Sequence, residues 1–495
     1  STVERIGAGE DLEIVMTPES EPAALAGQKP GNLWLSGLDF DGDEAARERF
    51  LRHCASCHPP ASGFMRIERS PEQWRDVIDR MSRYGSQLAA EDRKPLADYL
   101  RRRFAELGAD PGRLPGFEPW PADLSAVEIS EWRLGDSFSH LRDFIVHPNG
   151  MVYVGDNLMD RIYELDPVSG EYTVYRLPHS ASARPGGILG NRLAGGYPRA
   201  ENLYGVNAFA LSAADGHLFI ATPMQQALIE FDPLSKQFTE WAMEDGFYPH
   251  SLRVDAKDRV WVTLALSNAV AVFDRQEKRF RSVDLPARGI RERLRLAISQ
   301  FRLARGWFGE PPRYDREGTG FPLPLDLDIA ADGTVWVARY QADDLARIDP
   351  ETLEVRMIPL PFAAPSALRC DAEGNPWVSA LSSGLVARYV PARDQWETFP
   401  LPLRSDTPLA IAHDPARGLV WVSGNQSDTL LALDPRNGRW KVYPLARQGS
   451  FAQAIAVAED GAVFSSNANF PAWQIEDGQP TLIRLRDAAA NLAAP

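Results

Sequence analysis

The residues with the most explicit chemistry in this 495-residue chain are Cys54-Ala55-Ser56-Cys57-His58. Two thiols separated by two residues can add across both vinyl groups of a haem, and a histidine directly after the second thiol can reach the iron. The motif therefore reads as a covalent attachment site for one haem c. Two other chemistries use a Cys-X-X-Cys pair. A structural zinc ion needs a second ligand pair at finger-like spacing, and the third cysteine, Cys370, stands alone in an apolar stretch. A thioredoxin-like redox pair needs a strand before the motif and a helix after it, and it gives His58 no task. Cys370 reads as a small buried hydrophobe, and three cysteines make no disulfide framework.

The elements that must position the motif are helical in pattern. Ala45-Ala46-Arg47-Glu48-Arg49-Phe50-Leu51 leads into the cysteines. Ser70 fits an N-cap and Pro71 the first helical position, with Trp74, Val77, Ile78 and Met81 recurring at helical spacing. A third helix, Glu91 to Phe104, is expected to bury Leu96, Tyr99 and Leu100. From about residue 40 to 106 the chain resembles a class I cytochrome c domain. The resemblance implies a methionine as the second axial ligand of the iron, which raises the potential relative to a bis-histidine haem. Met81 is the expected ligand, because Arg80-Met81-Ser82-Arg83-Tyr84-Gly85 ends a helix and opens a loop able to wrap the free haem face. Met65 is the alternative, and the spacing of Met81 also suits an ordinary core methionine.

Beyond a Pro- and Gly-rich stretch the period changes to two, and the chain repeats itself every 40 to 45 residues or so. Val260-Trp261-Val262-Thr263, Val335-Trp336-Val337-Ala338, Pro376-Trp377-Val378-Ser379 and Val420-Trp421-Val422-Ser423 are the clearest copies. Seven such units predict an all-β seven-bladed propeller after a small all-α domain. The strands at 128–134 and 481–485 both fit an outer position, and one of them is expected to close the ring. The domains are read as a 1–42 extension, a 43–107 haem-binding helical domain, a 108–125 linker and a 126–495 propeller. Insertions fall at 179–204 and 287–324. The second resembles a basic amphipathic helix carrying Arg288, Arg291, Arg293, Arg295, Arg302 and Arg305, as a lid or dock for the haem domain or as a decoration of the ring.

The propeller resembles the streptogramin B lyase (virginiamycin B lyase) family through its Trp-Val-Thr/Ser/Ala strands, acidic turns such as Leu433-Asp434-Pro435, and Leu-Pro strand ends. The resemblance implies a Pro-His base, matched by Pro249-His250, and a metal-holding glutamate after the aromatic strand, where this chain has Leu264. The missing carboxylate weakens the lyase expectation. Aligning the heads of the inner strands places Asp143, Asn207, His250, Asp326, Ser366 and Gln453 around one axis. His250, Asp143 and Asp326 are the candidate catalytic residues, with the pKa of His250 raised by an adjacent anion. A water-filled channel of satisfied polar groups is the plainer expectation.

Lys plus Arg number 53 against 68 Asp plus Glu, a formal charge of -15, the wrong sign for binding nucleic acid. No run of about 18 apolar residues suggests a membrane span, and no leader is visible at Ser1. The expected function is electron transfer by a periplasmic c-type haem protein whose leader has been removed. It reads as an oxidoreductase that binds an unknown small-molecule substrate or a partner at the propeller mouth and passes electrons through the haem. A small, basic cytochrome is the expected redox partner. The alternatives are a propeller lyase with an accessory haem, a non-catalytic carrier or docking scaffold, and a sensor.

Overall fold

The computed structural model describes residues 19–116, 124–179, 187, 203–305, 321–470 and 472–487. Most of the 179–204 insertion, and residues 306–320 of the second insertion, lie outside them.

Five helices precede the sheets: α1 (Pro22–Gln28), α2 (Gly31–Ser36), α3 (Glu44–Cys54), α4 (Pro71–Arg83) and α5 (Ala90–Ala109). Asp43 caps α3 by accepting from the Ala46 N–H at 2.9 Å. Ser70 and Gln73 form a reciprocal capping box at α4, with Pro71 in the first turn. Amphipathic spacing then joins Phe50, Leu51, Trp74, Ile78, Leu96, Leu100 and Phe104 in one core, with the Trp74 and Phe104 rings stacked at 5.9 Å. Trp34, Leu35, Leu38 and Phe40 belong to this same core. The extension drawn at 1–42 is therefore not separate: the helical body starts at Pro22, because its first two helices bury their apolar faces on the others. Its last helix also runs through Ala109, past the expected boundary, and Leu114 still packs on it.

The rest is seven four-stranded antiparallel sheets in a ring, a seven-bladed β-propeller. In six blades the four strands follow one another in sequence. The seventh takes Ala452–Val457, Val463–Asn467 and Thr481–Asp487 from the end of the chain, and its outer strand, Val127–Arg133, from the beginning. This pairing runs without a slip from Val127 opposite Asp487 to Arg133 opposite Thr481. The repeated tryptophans, Trp261, Trp336, Trp377 and Trp421, are fully buried between blades. Cys370 packs partly buried beside the Trp336 and Tyr389 core, and burial raises its thiol pKa. The basic insertion forms α6 (Ile290–Ala304), which buries Glu292, Leu296 and Leu303.

The helical body sits on the face of the ring that carries the turns between second and third strands. Tyr340, Ala364 and Leu381 of the propeller join its core. Arg52, 2% exposed, donates to the Tyr340 carbonyl at 3.0 Å, to Asp343 at 3.0 Å and to Glu48 at 2.6 Å, while the Tyr340 hydroxyl donates to the Arg52 carbonyl at 2.7 Å. On the far side the Asn32 N–H donates to the Gln426 carbonyl at 2.6 Å. Arg52→Ala leaves two carboxylates, each about a third exposed, without their cation. It is expected to cost about 2 kcal/mol at the junction and to split one calorimetric unfolding transition into two.

Candidate functional site

Cys54 ends α3 and Cys57 lies on the turn beyond it. Both are free thiols, Cys54 half-buried and Cys57 exposed. Burial first, and Cys57 second, push Cys54 up to about 12, which does not suit a nucleophilic thiolate. His58 is 9% exposed; burial lowers its pKa, and its Nδ1 makes no hydrogen bond of ordinary geometry. It is a neutral imidazole with a lone pair, the form that binds metals. Met65 is packed into the helical core at 8% exposure. Met81 stands outside that core near the end of α4, where its carbonyl accepts from the N–H groups of Tyr84 and Ser86 at 3.1 Å.

The motif lies over the mouth of the propeller. Burial raises the phenols of Tyr248 and Tyr340, and negative charge on Cys57 would raise both further. Leu323, Leu325 and Leu409 from the ring pack on the same core as Cys54.

A repeated backbone irregularity builds the mouth. In five blades the ladder between first and second strands slips at one level: Leu141/Asp143, Pro249/Leu252, Pro324/Asp326, Pro365/Ala367 and Ala452/Ile455. A bulge inserts one extra residue and re-aims its side chain. The extra residues are Arg142, His250, Leu325, Ser366 and Gln453. Asn207 occupies the same level in the second blade, its N–H donating to Ala221, and Leu409 does so in the sixth, one residue before the Ala410 carbonyl that accepts from Ser423. The Arg142 guanidinium meets His250 Nε2 at 2.8 Å although they belong to the first and third blades, so these two side chains converge across the mouth.

Two of the expected catalytic residues are not at this level. Asp143 and Asp326 sit one residue past the bulge and clamp neighbouring blades. Asp143 accepts from the Phe209 N–H at 2.8 Å and the Phe144 N–H at 2.9 Å. Asp326 accepts from Ser251 at 2.6 Å, Arg369 at 2.7 Å and the Leu368 N–H at 2.9 Å; against the effect of burial, Arg369 and Arg253 hold it below the usual range. The positions after other aromatic strands are also structural: Asp156 accepts from the His140 N–H and the Tyr163 hydroxyl, and Arg339 grips Asp344.

His250 also departs from expectation. Burial followed by Arg142 pushes its pKa down to about 3, outweighing Asp326, which acts to raise it. A guanidinium only donates, so Nε2 must be the acceptor and Nδ1 carries the proton, donating to the Leu325 carbonyl at 2.5 Å. Both nitrogens are engaged, leaving no free base. Leu264, where the carboxylate would stand, is fully buried against Met243, Ala269 and Ala271.

Arg142, His140, Tyr248 and His250 keep part of their surface accessible, yet burial holds both imidazoles near 3. Their accessible surface faces the space at the mouth of the ring, beneath the motif. Sequence reasoning missed Arg142, Leu325 and Leu409 because the bulge shifts the alignment of strand heads; the Tyr248-Pro249-His250 string was the available signal for Tyr248. Away from the mouth, Asp215, His217 and Glu230 cluster in the second blade, but Arg275 bonds both carboxylates.

No family model and no curated protein matches the chain. Among solved structures, a streptogramin B lyase matches with a TM-score of 0.54 and 15% identity, over 75% of this chain and 100% of that one. A catalytically inactive virginiamycin B lyase from Staphylococcus aureus, with quinupristin, gives 0.53 and 14% over 72% and 99%. The structure of U3-55K gives 0.52 and 11% over 72% and 98%. These likenesses show the fold, a seven-bladed propeller related to that of streptogramin B lyase.

The depressed imidazoles set an acid response. An unfolded histidine takes a proton below about 6.5, whereas His53, His140 and His250 resist it to about 3. Their stability contribution is complete above about 6.5 and is lost as pH falls toward 3. Asp406 and Asp428, raised by burial to about 6 and about 7, run the other way between about 4 and 7. His250→Gln is expected to flatten the loss between pH 6 and 4 by up to about 1.4 kcal/mol per pH unit, read from denaturant unfolding of variant and parent at each pH.

Proposed function

We propose that the chain is a c-type haem protein of electron transfer in which the propeller mouth forms the far wall of the haem cavity. The observation that carries this is the set Cys54, Cys57 and His58: two thiols free of any disulfide and a neutral imidazole above a partly apolar ring. The donor set fits a haem c. Cys54 and Cys57 would hold it through thioethers, and His58 and Met81 would ligate the iron, Met81 in preference to Met65, which the helical core already uses. A bound haem supplies one-electron exchange at physiological potentials.

The other residues set the surroundings of that exchange. Leu325 and Leu409 exclude water on one side of the mouth, which strengthens electrostatic interactions within. Arg52 and Tyr340 fix the motif's helix to the ring on two polar bonds, so the distance between motif and mouth stays constant. The acidic surface favours a small basic redox partner, with salt-weakened association. Covalent haem implies assembly outside the cytoplasm, in a periplasm. The lyase alternative loses its base, since His250 has no free nitrogen.

The purified protein is expected to show a c-type spectrum and a positive pyridine haemochrome assay, and Cys54→Ala/Cys57→Ala to show no covalent haem. Met81→Ala is expected to abolish the far-red methionine-to-iron charge-transfer band and lower the potential. A parent protein without covalent haem sinks the proposal; a band that survives in the variant removes Met81 as ligand.

A further inference from the structure

The innermost strands carry three arginines, and two are committed to carboxylates. Arg253 bonds Asp328 at 3.0 Å, and Arg369 bonds Asp326 at 2.7 Å. Arg142, half-buried at the mouth, has no carboxylate partner among the described residues. Its hydrogen bond is to the neutral Nε2 of His250. None of its nitrogens is a buried orphan, so those not facing His250 keep access to the space at the mouth. The adjacent carboxylate, Asp143, is turned to the Phe144 and Phe209 N–H groups. The other groups that feel the Arg142 charge, His140 and Tyr248, are neutral.

We propose that Arg142 is the anchor of a carboxylate-binding site at the propeller mouth beneath Cys57. A half-buried guanidinium whose one partner is neutral keeps donors to spare, and its planar fork matches a carboxylate in two parallel hydrogen bonds. The fork is held in place: the Leu325 carbonyl takes the Nδ1 proton of His250, which aims the Nε2 lone pair at Arg142, and Asn207 fixes the His250 backbone at 2.6 Å. Polarity around the mouth gives the ligand its shape. Arg142, Asn207 and Gln453 come from consecutive blades, whereas Leu325 and Leu409, on either side of Ser366, pack against the helical core. A ligand with an apolar body and a carboxylate end fits this division. The carboxylate has two sources: a propionate of the bound haem, which rests on the function proposed above, or a small organic acid entering at the mouth, which does not.

The full chain carrying covalent haem, verified by pyridine haemochrome, is compared with Arg142→Gln and Arg142→Lys. Sodium propionate, against sodium chloride at equal ionic strength, is followed by thermal shift, and the haem propionate bending band by resonance Raman. If a free acid is the ligand, propionate stabilises the parent and binds Arg142→Gln at least about tenfold more weakly, with partial rescue in Arg142→Lys. If the haem supplies the carboxylate, added propionate has no effect, and the Raman band shifts in Arg142→Gln and returns partly in Arg142→Lys. A parent that neither responds to propionate nor shares a Raman difference with Arg142→Gln overturns the site. Absence of covalent haem removes only the haem source, and the propionate arm still decides the rest.

Discussion

Everything in the molecule depends on the pairing of Val127–Arg133 with Thr481–Asp487. This ladder joins the first strand of the ring to the last, so the seventh blade gains its fourth strand and the ring is closed by the two ends of the propeller segment. It also fixes where the chain enters the propeller, and so where the helical body can lie. The cost of bringing such distant segments together grows only slowly with the length between them. The gain is a closed ring whose inner strands sit at a fixed radius. The Arg142 to His250 bond, between the first and third blades, exists only at that radius.

Within the ring, carboxylates one residue past two of the five irregularities do mechanical work. Asp143 and Asp326 reach the backbone N–H groups of the following blade, at Phe209 and Leu368, and Asp328 does the same at Cys370. Buried carboxylates are tolerable when they accept several hydrogen bonds, and here those bonds tie blade to blade. The bulge residues beside them are released from the ladder and supply the chemistry of the mouth. Structural and chemical duties are therefore divided between neighbouring residues of one strand.

The helical body completes the arrangement by covering the mouth with the segment that holds its two thiols. Arg52, immediately before His53-Cys54, bonds the ring, and the first two helices bind the sixth blade through Asn32. The motif is consequently positioned by both bodies, which is why its surroundings include Tyr248 and Tyr340 from the propeller as well as the core of its own helices.

The sequence by itself determined the alternation that makes the strands, the tryptophans between blades, the count of seven, the capped helix at Ser70 and the Cys54-Cys57-His58 motif. These are local patterns, with periods of two, 3.6 or a fixed spacing, and tertiary contacts only had to agree with them. It also placed His250 at the mouth. Only the tertiary structure decided which residues share the mouth with it, because a bulge inserts a single residue and moves the side chain facing the axis from Asp143 to Arg142 and from Asp326 to Leu325. It likewise decided that His250 bonds a guanidinium, whose charge outweighs the more distant Asp326 carboxylate. That pairing follows from ring closure and strand radius, physical quantities that no local spacing along the chain encodes.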